Sequence, residues 1–279
     1  MTDHPRPFLK WAGGKTQLLP QLIEHLPEEW NAYHEPFVGG GALFFGLVRA
    51  GLLGDFPAFI SDLNRELVDA YRAIRVAPGR LCDLLADIQK RHGALGREEY
   101  INARLASPWK LGLNDRAARM IFLNKAGFNG LYRVNADGRF NVPWGNQPKK
   151  KIFDRENIMA VSESLRAAEV LCESFGDGLY RVQPGDLVYF DPPYVPASET
   201  SNFTAFTRGG FDLRDQEQLA GTFEALVKRG AFVMLSNSDT PWVRERYAEH
   251  RIVSLKARRA INSDGAKRGE VGEVLVCGW

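Results

Sequence analysis

The stretch that decides the fold covers residues 33–41 and reads Tyr33-His34-Glu35-Pro36-Phe37-Val38-Gly39-Gly40-Gly41. It predicts a short strand followed by a glycine turn, and the apolar run over residues 42–48 predicts a helix after it. A second short strand, Phe59-Ile60-Ser61, ends at Asp62. A strand, a helix and a strand in this order predict parallel pairing through a right-handed crossover.

Further elements of the same kind follow in the second half of the chain. The run Leu187-Val188-Tyr189-Phe190 is typical of a central parallel strand, and strands are also predicted over residues 170–172 and 231–236. Helices are predicted over residues 158–168 and 212–228, the second with Gly230 just past its end. The fold class is therefore α/β, with a doubly wound, Rossmann-like sheet.

The alternation of strands and helices stops between the two halves. Residues 64–92 are helical in period, with an interruption at Pro78-Gly79. A further helix is predicted with Asp115 as its N-cap and Gly127 just past its end, followed by a loop rich in Asn, Gly, Arg and aromatic residues. We assign residues 1–68 and 156–279 to the sheet domain, and residues 69–155 to an inserted, mainly helical domain.

The net charge of +2 conceals a strongly basic segment. Residues 90–155 contain fourteen Lys or Arg against five Asp or Glu. Such asymmetry favours a module that faces a polyanion, although a solvated basic face is an equal alternative from charge alone.

Composition excludes several classes of protein. No apolar run is long enough to cross a membrane, and residues 1–10 lack the apolar segment of a secretory signal. The three cysteines and five histidines are scattered, which argues against a disulfide framework and against a structural zinc site, and we predict no metal site. We expect a protein of the reduced cytoplasm with no membrane partner.

The glycine turn and Asp62 favour a cofactor that contains adenosine. Glycines let the backbone approach a ligand, and an acid at the end of the next strand commonly accepts hydrogen bonds from ribose hydroxyls. A purely structural turn is the alternative. Phe44 stands where a dinucleotide site needs its third glycine, so S-adenosylmethionine, a cation, suits the nearby acids better. Gly14-Lys15-Thr16 is no phosphate loop, because Leu9 replaces the required glycine.

The sequence Asp191-Pro192-Pro193-Tyr194 follows the predicted central strand, at the sheet edge where ligands bind. The Asp191 carboxylate and the Pro192 carbonyl can accept the two N–H groups of an exocyclic amine such as adenine N6, and Tyr194 can stack on the base. A Pro-Pro turn without function is the alternative. For a duplex substrate this chemistry requires base flipping.

The basic segment then has a physical role on DNA. Phe128 and Leu131 could wedge against bases, and Arg133 could pair with guanine in the major groove, although each could equally be ordinary loop packing. A second basic patch comprises Lys256, Arg258, Arg259, Lys267 and Arg268.

With these motifs in hand, the chain resembles the Dam-type DNA adenine-N6 methyltransferases over essentially its whole length. The matching stretches are residues 8–15 (FLKWAGGK), 35–39 (EPFVG), 61–62 (SD), 128–133 (FNGLYR), 140–143 (FNVP), 191–194 (DPPY), 202–205 (NFTA) and 258–259 (RR). The resemblance implies a Rossmann-like methyltransferase sheet with an inserted DNA-recognition domain that carries a hairpin loop. It also implies a bacterial or phage enzyme that acts on double-stranded DNA, which we expect to be a monomer.

The resemblance also implies roles for individual residues. Asp191 to Tyr194 would hold the flipped adenine, and residues 195–211 would order on DNA. The S-adenosylmethionine pocket would contain Trp11, Lys15, Glu35, Phe37, Gly39, Asp62, Ser174, Phe175 and Asp191. The DNA contacts would come from Lys10, Phe128, Asn129, Leu131, Arg133, Asn135, Pro143, Arg258 and Arg259. Leu131 and Arg133 match positions linked to GATC recognition, whereas Asn146-Gln147-Pro148 departs from relatives that carry basic or aromatic residues there.

Two other functions stay open from the sequence. The same turn suits a methyltransferase that acts on RNA or on a protein amide, although such relatives usually begin the turn with asparagine. A catalytically silent DNA-binding protein on the same scaffold is the other alternative, which the intact Asp191 and glycine turn disfavour.

Overall fold

The computed structural model describes residues 4–54, 56–195, 210–256 and 272–279. Within them, seven strands form one sheet in the order β3-β2-β1-β4-β5-β7-β6. The strands are β1 (Tyr33–Glu35), β2 (Ala58–Ser61), β3 (Ala168–Leu171), β4 (Leu187–Phe190), β5 (Phe232–Ser238), β6 (Arg251–Leu255) and β7 (Glu273–Cys277). Strands β1 to β5 pair in parallel, whereas β7 lies antiparallel between β5 and β6.

The described residues contain nine α-helices. They are α1 (Leu19–Glu24), α2 (Ala42–Arg49), α3 (Arg65–Val76), α4 (Pro78–Leu95), α5 (Arg97–Leu105), α6 (Leu113–Ala126), α7 (Arg155–Ser164), α8 (Leu213–Arg229) and α9 (Pro241–Arg246). Single 3-10 turns lie at Lys15–Gln17, Pro108–Lys110 and Phe128–Gly130. None of the helices in this described part is long and apolar enough to cross a membrane.

The predicted α/β class and the doubly wound parallel sheet are confirmed. Strand β1 pairs with β2 on one side and with β4 on the other, so the order in which the chain adds strands to the sheet switches sides at β1. The carboxyl ends of these strands form the crevice that open α/β sheets use for ligands. Because β1, β2 and β4 end at residues 35, 61 and 190, the glycine turn, Asp62 and Asp191 all emerge at this crevice.

Some predicted boundaries were wrong. Ala168 opens β3 rather than ending a helix, because α7 stops at Ser164. Helix α6 begins two residues before Asp115, with Gly112 as its N-cap, so Asp115 lies in the first turn. Gly127 follows α6 with an extended backbone (φ −70°, ψ 159°) because it pairs with Trp144. By contrast, Gly230 does follow the end of α8, at φ 92°, while Asp212, predicted as the first residue of this helix, is its N-cap.

The core lies in two layers, one on each face of the sheet. One layer contains α2, α3, α4, α6 and α7 together with apolar residues of the segment 131–152. The other lies between the sheet and α8, with Val243 and Tyr247 beside it. The predicted boundary between residues 68 and 69 falls inside the continuous helix α3. Helices of the segment 69–155 thus share a core with the sheet.

A buried ion pair joins α6, in the segment 69–155, to α3. Arg119 of α6 donates to the Glu66 carboxylate of α3 at 2.7 Å, and the two side chains are only 6% and 5% exposed. Arg119 also donates to the carbonyls of Ala103 and Arg104 at the end of α5. Tyr132 adds a longer contact to Glu66 at 3.4 Å.

Candidate active site at the carboxyl edge of the sheet

The turn after β4 carries an ion pair with a buried lysine. The Asp191 carboxylate lies 2.8 Å from the Lys15 ammonium, whose side chain is 4% exposed. Lys15 also donates to the Gly13 carbonyl at 2.6 Å, so the 3-10 turn at Lys15–Gln17 holds it in place. Burial raises the pKa of Asp191 to about 6, against the opposing effect of Lys15. Asp191 is therefore mostly ionised at neutral pH.

Polar side chains of α8 and β5 clamp the backbone of this turn. Gln216 donates to the Pro193 carbonyl at 2.7 Å. Asn237 accepts from the Val195 amide at 3.0 Å, and Ser238 donates to the Val195 carbonyl at 2.6 Å. Within the described residues no hydrogen bond reaches the Pro192 carbonyl. Gln216 therefore occupies the Pro193 carbonyl, and none of these side chains bonds to the Pro192 carbonyl.

The ring of Tyr194 is held at two points. Its hydroxyl donates to the Glu273 carboxylate at 2.8 Å, and the Lys15 ammonium lies 4.7 Å from its ring centroid. These two contacts favour this orientation of the ring.

The glycine turn and Asp62 meet as the sequence predicts. The Gly39 amide donates to Asp62 at 3.1 Å, and the Asn64 amide donates to the other carboxylate oxygen at 2.8 Å. Gly39 has a φ of 48°, and a Cβ there would lie 2.7 Å from the Trp11 ring. Only glycine therefore lets Trp11 lie on the turn. Burial raises the pKa of Asp62 to about 6, against its two amide hydrogen bonds.

Glu35 lies beneath the turn rather than at its surface. It is 2% exposed, and one oxygen accepts from the Tyr33 hydroxyl at 2.8 Å and from the Phe44 amide at 3.2 Å. Burial raises the pKa of Glu35 to about 8, so it is largely neutral at pH 7. The negative charge that faces the crevice therefore comes from Asp62 and Asp191.

Aromatic side chains line the neighbouring part of the crevice. Phe37 stacks on Phe175 with ring centroids 5.5 Å apart, and Phe211 contacts both rings edge-on. A small pocket beside them is lined in part by Ser61, Ser174 and Phe175. Phe37, Ser174 and Phe175 are thus brought together as the sequence predicts.

The segment 127–145 folds as an irregular hairpin with two isolated bridges, Gly127 with Trp144 and Val134 with Phe140. Phe128 is 51% exposed at its base, and its amide donates to the Pro143 carbonyl at 2.9 Å. Asn129 is exposed with a φ of 54°. The predicted DNA contacts Phe128, Asn129 and Pro143 are therefore neighbours.

Side chains along the hairpin alternate between surface and interior. Arg133 is exposed and donates to the Asn141 side chain at 2.7 Å, while Leu131 is half-buried. Tyr132 between them points inward and stacks on Trp11 with ring centroids 5.3 Å apart. Asn135 has a local role, since its side-chain oxygen accepts the amides of Asp137 and Arg139 and shapes the turn.

Lys10 joins the hairpin to the segment that carries Trp11 and Lys15. Asn124 of α6 accepts from the Lys10 amide at 3.0 Å and donates to the carbonyls of Lys10 and Gly130, each at 2.9 Å. A Cβ at Gly130 would lie 2.7 Å from the Lys10 side chain. Arg258, Arg259, Lys267, Arg268 and most of the segment 195–211 lie outside the described residues.

Sequence reasoning missed several residues of this site, namely Asn124, Tyr132, Gln216, Asn237, Ser238 and Glu273. One signal was available. The polar run 236–238 ends an otherwise apolar strand and is buried, which is typical of the ligand edge of a parallel sheet. The contact between Glu273 and Tyr194 had no such signal, because the two residues come from distant parts of the sequence.

Comparisons with known proteins agree with this geometry. Residues 11–261 match the family model described as D12 class N6 adenine-specific DNA methyltransferase. The chain is 40% identical to the type II methyltransferase M1.LlaDCHI of Lactococcus lactis subsp. cremoris, over 98% of this chain and 95% of that protein. It is 40% identical to the type II methyltransferase M.MjaIII of Methanocaldococcus jannaschii, over 98% and 99%. It is 35% identical to the DNA adenine methylase of Escherichia coli K12, over 97% and 94%. The chain therefore belongs to the D12 class of N6 adenine-specific DNA methyltransferases.

Proposed function

We propose that this enzyme transfers a methyl group from S-adenosylmethionine to N6 of an adenine that is flipped out of double-stranded DNA, with GATC as its preferred site. The observation that carries the proposal is the turn after β4. There the Lys15 ammonium contacts both the ionised Asp191 carboxylate and the Tyr194 ring, and the Pro192 carbonyl between them in sequence accepts no hydrogen bond from the described residues.

These groups match the needs of an exocyclic amine. The nitrogen lone pair of adenine N6 is delocalised into the ring, so the amine is a weak nucleophile. Two acceptors that take its N–H groups favour a more tetrahedral nitrogen with a localised lone pair. Gln216 supports this assignment because it occupies the Pro193 carbonyl and leaves the Pro192 carbonyl for the substrate.

The residues around the glycine turn suit S-adenosylmethionine. Gly39 allows close approach, and the carboxylate oxygens of Asp62 each accept one amide, so each keeps a lone pair for a ribose hydroxyl. Asp62 and Asp191 present negative charge to a cationic group. When bound, the cofactor supplies a methyl group on a sulfonium. Trp11, Asp62, Phe37 and Phe175 would hold it.

Lys15 has a defined part in this scheme. Its ammonium lowers the pKa of the buried Asp191 and so keeps the carboxylate ionised, and it occupies one of the Asp191 oxygens (Oδ1). The second oxygen can accept an N–H of the adenine. Tyr194, fixed between Lys15 and Glu273, offers its ring for stacking on the base.

The direct test is methyl transfer with tritiated S-adenosylmethionine. Duplexes with and without GATC, and an RNA duplex, are the substrates, and nucleoside analysis identifies the product. We expect N6-methyladenine in GATC duplexes. Equal labelling of both DNA duplexes would contradict the proposed GATC specificity. Stronger labelling of RNA than of DNA would favour an RNA methyltransferase. No label in any substrate would contradict the proposed activity.

The pH dependence of the rate follows from Asp191. Protonation removes the charge of the Asp191 carboxylate and makes it a weaker acceptor for an N–H, so the single-turnover rate is expected to fall as the pH drops through about 6. Asp62 shares a raised pKa of about 6, so the fall is expected to be steeper than for one group. Rates between pH 5 and 8 test this. Asp62→Asn at saturating cofactor should make the fall shallower, and a flat profile down to pH 5 would contradict the role of Asp191.

Arg133 is the residue expected to read a base. Replacing Arg133 with alanine should cost about 1–3 kcal/mol at one base pair of the site, because a bidentate contact to guanine is lost. The measurement is kcat/KM on a set of duplexes that differ at each position. Arg139→Ala, an exposed arginine of the same hairpin, is the matched control. Equal weakening on every duplex would show that Arg133 contacts a phosphate.

A further inference from the structure

Glu273 contacts Tyr194 in the turn after β4, and its position in the sheet explains this contact. It opens β7 and lies opposite Ser238 of β5 in the antiparallel ladder. Ser238 donates to the Val195 carbonyl at 2.6 Å, while Glu273 accepts from the Tyr194 hydroxyl at 2.8 Å. The paired residues Ser238 and Glu273 therefore contact two consecutive residues of the turn, Val195 and Tyr194.

The Tyr194 ring depends on this contact for its orientation. The ring centroid lies 4.7 Å from the Lys15 ammonium, and the hydroxyl donates a hydrogen bond to the Glu273 carboxylate. Rotation of the ring away from this position would give up a charge-assisted hydrogen bond and a cation–π contact together. The ring is thus oriented before any base arrives.

Glu273 also acts on Asp191 through its charge. Its negative charge raises the pKa of Asp191, a smaller effect than burial and opposite in direction to that of Lys15. The ionisable groups that face Asp191 from the surrounding elements are Lys15, Tyr33, Glu35, Tyr189, Tyr194 and Glu273.

We propose that Glu273 is a positioning residue for methyl transfer, which fixes the Tyr194 ring for stacking on the substrate base and sets the charge around Asp191. The inference rests on the proposed function, since it gives Glu273 a task in the same reaction. In this assignment Glu273 acts on the reaction through Tyr194.

Three variants separate the two effects. Glu273→Ala removes the acceptor and the charge, Glu273→Gln keeps an acceptor without the charge, and Tyr194→Phe keeps the ring without its hydroxyl. Glu249→Gln, an exposed glutamate, is the matched control. Single-turnover rates on a duplex that the wild-type protein methylates are measured from pH 5 to 8, with thermal unfolding of each variant alongside. The Asp191 carboxyl carbon is titrated by NMR in aspartate-labelled protein.

We expect Glu273→Ala and Tyr194→Phe each to lower the rate about tenfold, as the loss of one hydrogen bond to a charged group allows. The double variant should lose no more than either single one, because both remove the same contact. Glu273→Gln should recover most of the rate at pH 8. It should also shift the acid limb and the Asp191 titration to lower pH, since removing a neighbouring anion lowers the pKa of a carboxyl group.

Two results would overturn the proposal. One is a wild-type rate in Glu273→Ala, and the other is additive losses in the double variant. The NMR titration does not depend on activity. If the wild-type protein methylates no substrate, the proposed function fails, and an unmoved Asp191 titration in Glu273→Gln then rejects the inference separately.

Discussion

Replacing Asp191 with alanine is expected to lower the single-turnover rate of methyl transfer by about two to three orders of magnitude, the range typical when one preorganised polar group is removed from a reacting centre. The Asp191 carboxylate is the charged acceptor of the turn, and the Pro192 carbonyl alone cannot take both N–H groups of the amine. DNA binding should largely survive, because the exposed residues of the hairpin are unchanged. Rates and DNA binding are measured on the same duplex.

The alanine variant also leaves the buried Lys15 ammonium without its carboxylate, which reduces stability. Asp191→Asn therefore belongs in the same experiment, since it keeps an oxygen acceptor and the shape of the side chain. We expect it to be slower than wild type and faster than alanine. Asp87→Ala removes an exposed aspartate on α4 and serves as the control. A wild-type rate in Asp191→Ala would refute the assigned chemistry.

Replacing Arg119 with methionine is expected to lower the free energy of unfolding by about 3–5 kcal/mol at pH 7. The variant leaves the Glu66 carboxylate buried without its partner and also removes hydrogen bonds to the end of α5. Burial already raises the pKa of Glu66, and losing Arg119 removes the largest effect that opposes this rise. Glu66 in the variant should thus take up a proton more readily, and the stability loss should shrink as the pH falls.

The control is Arg166→Met, which breaks an ion pair with Glu163 whose side chains are 74% and 66% exposed. An exposed pair contributes at most about 1 kcal/mol. Denaturant unfolding of both variants measures the difference. The double variant Arg119→Met with Glu66→Leu should recover much of the loss, since it buries no lone charge. Equal losses in the two single variants would contradict the buried pair's role.

Local signals predicted the parts of the fold that local physics controls. Gly230 lies just past the end of α8 as predicted, because a left-handed residue ends a helix within one turn, whereas Asp212, predicted as the first helical residue, is the N-cap. The carboxyl-edge positions of Asp62 and Asp191 follow from strand direction alone. Asp115 misled the prediction because an acid is also favourable within the first turn of a helix.

Long-range contacts could not be predicted from such signals. The ion pair of Lys15 with Asp191 and the contact of Tyr194 with Glu273 each join residues far apart in the sequence. The antiparallel direction of β7 depends on how the chain returns after β6, which an apolar run does not encode. Glu35 shows a further limit, since its acidic character in the sequence says nothing of the burial that makes it largely neutral at pH 7.

The alternation of side chains along the hairpin has a consequence for altering specificity. Arg133 points outward, whereas Tyr132 stacks on Trp11 beside the glycine turn. Under the base-reading role proposed for Arg133, redesign of the recognised base sequence can therefore be confined to outward positions such as this one. A library that also randomised position 132 would at the same time disturb the packing of Tyr132 on Trp11.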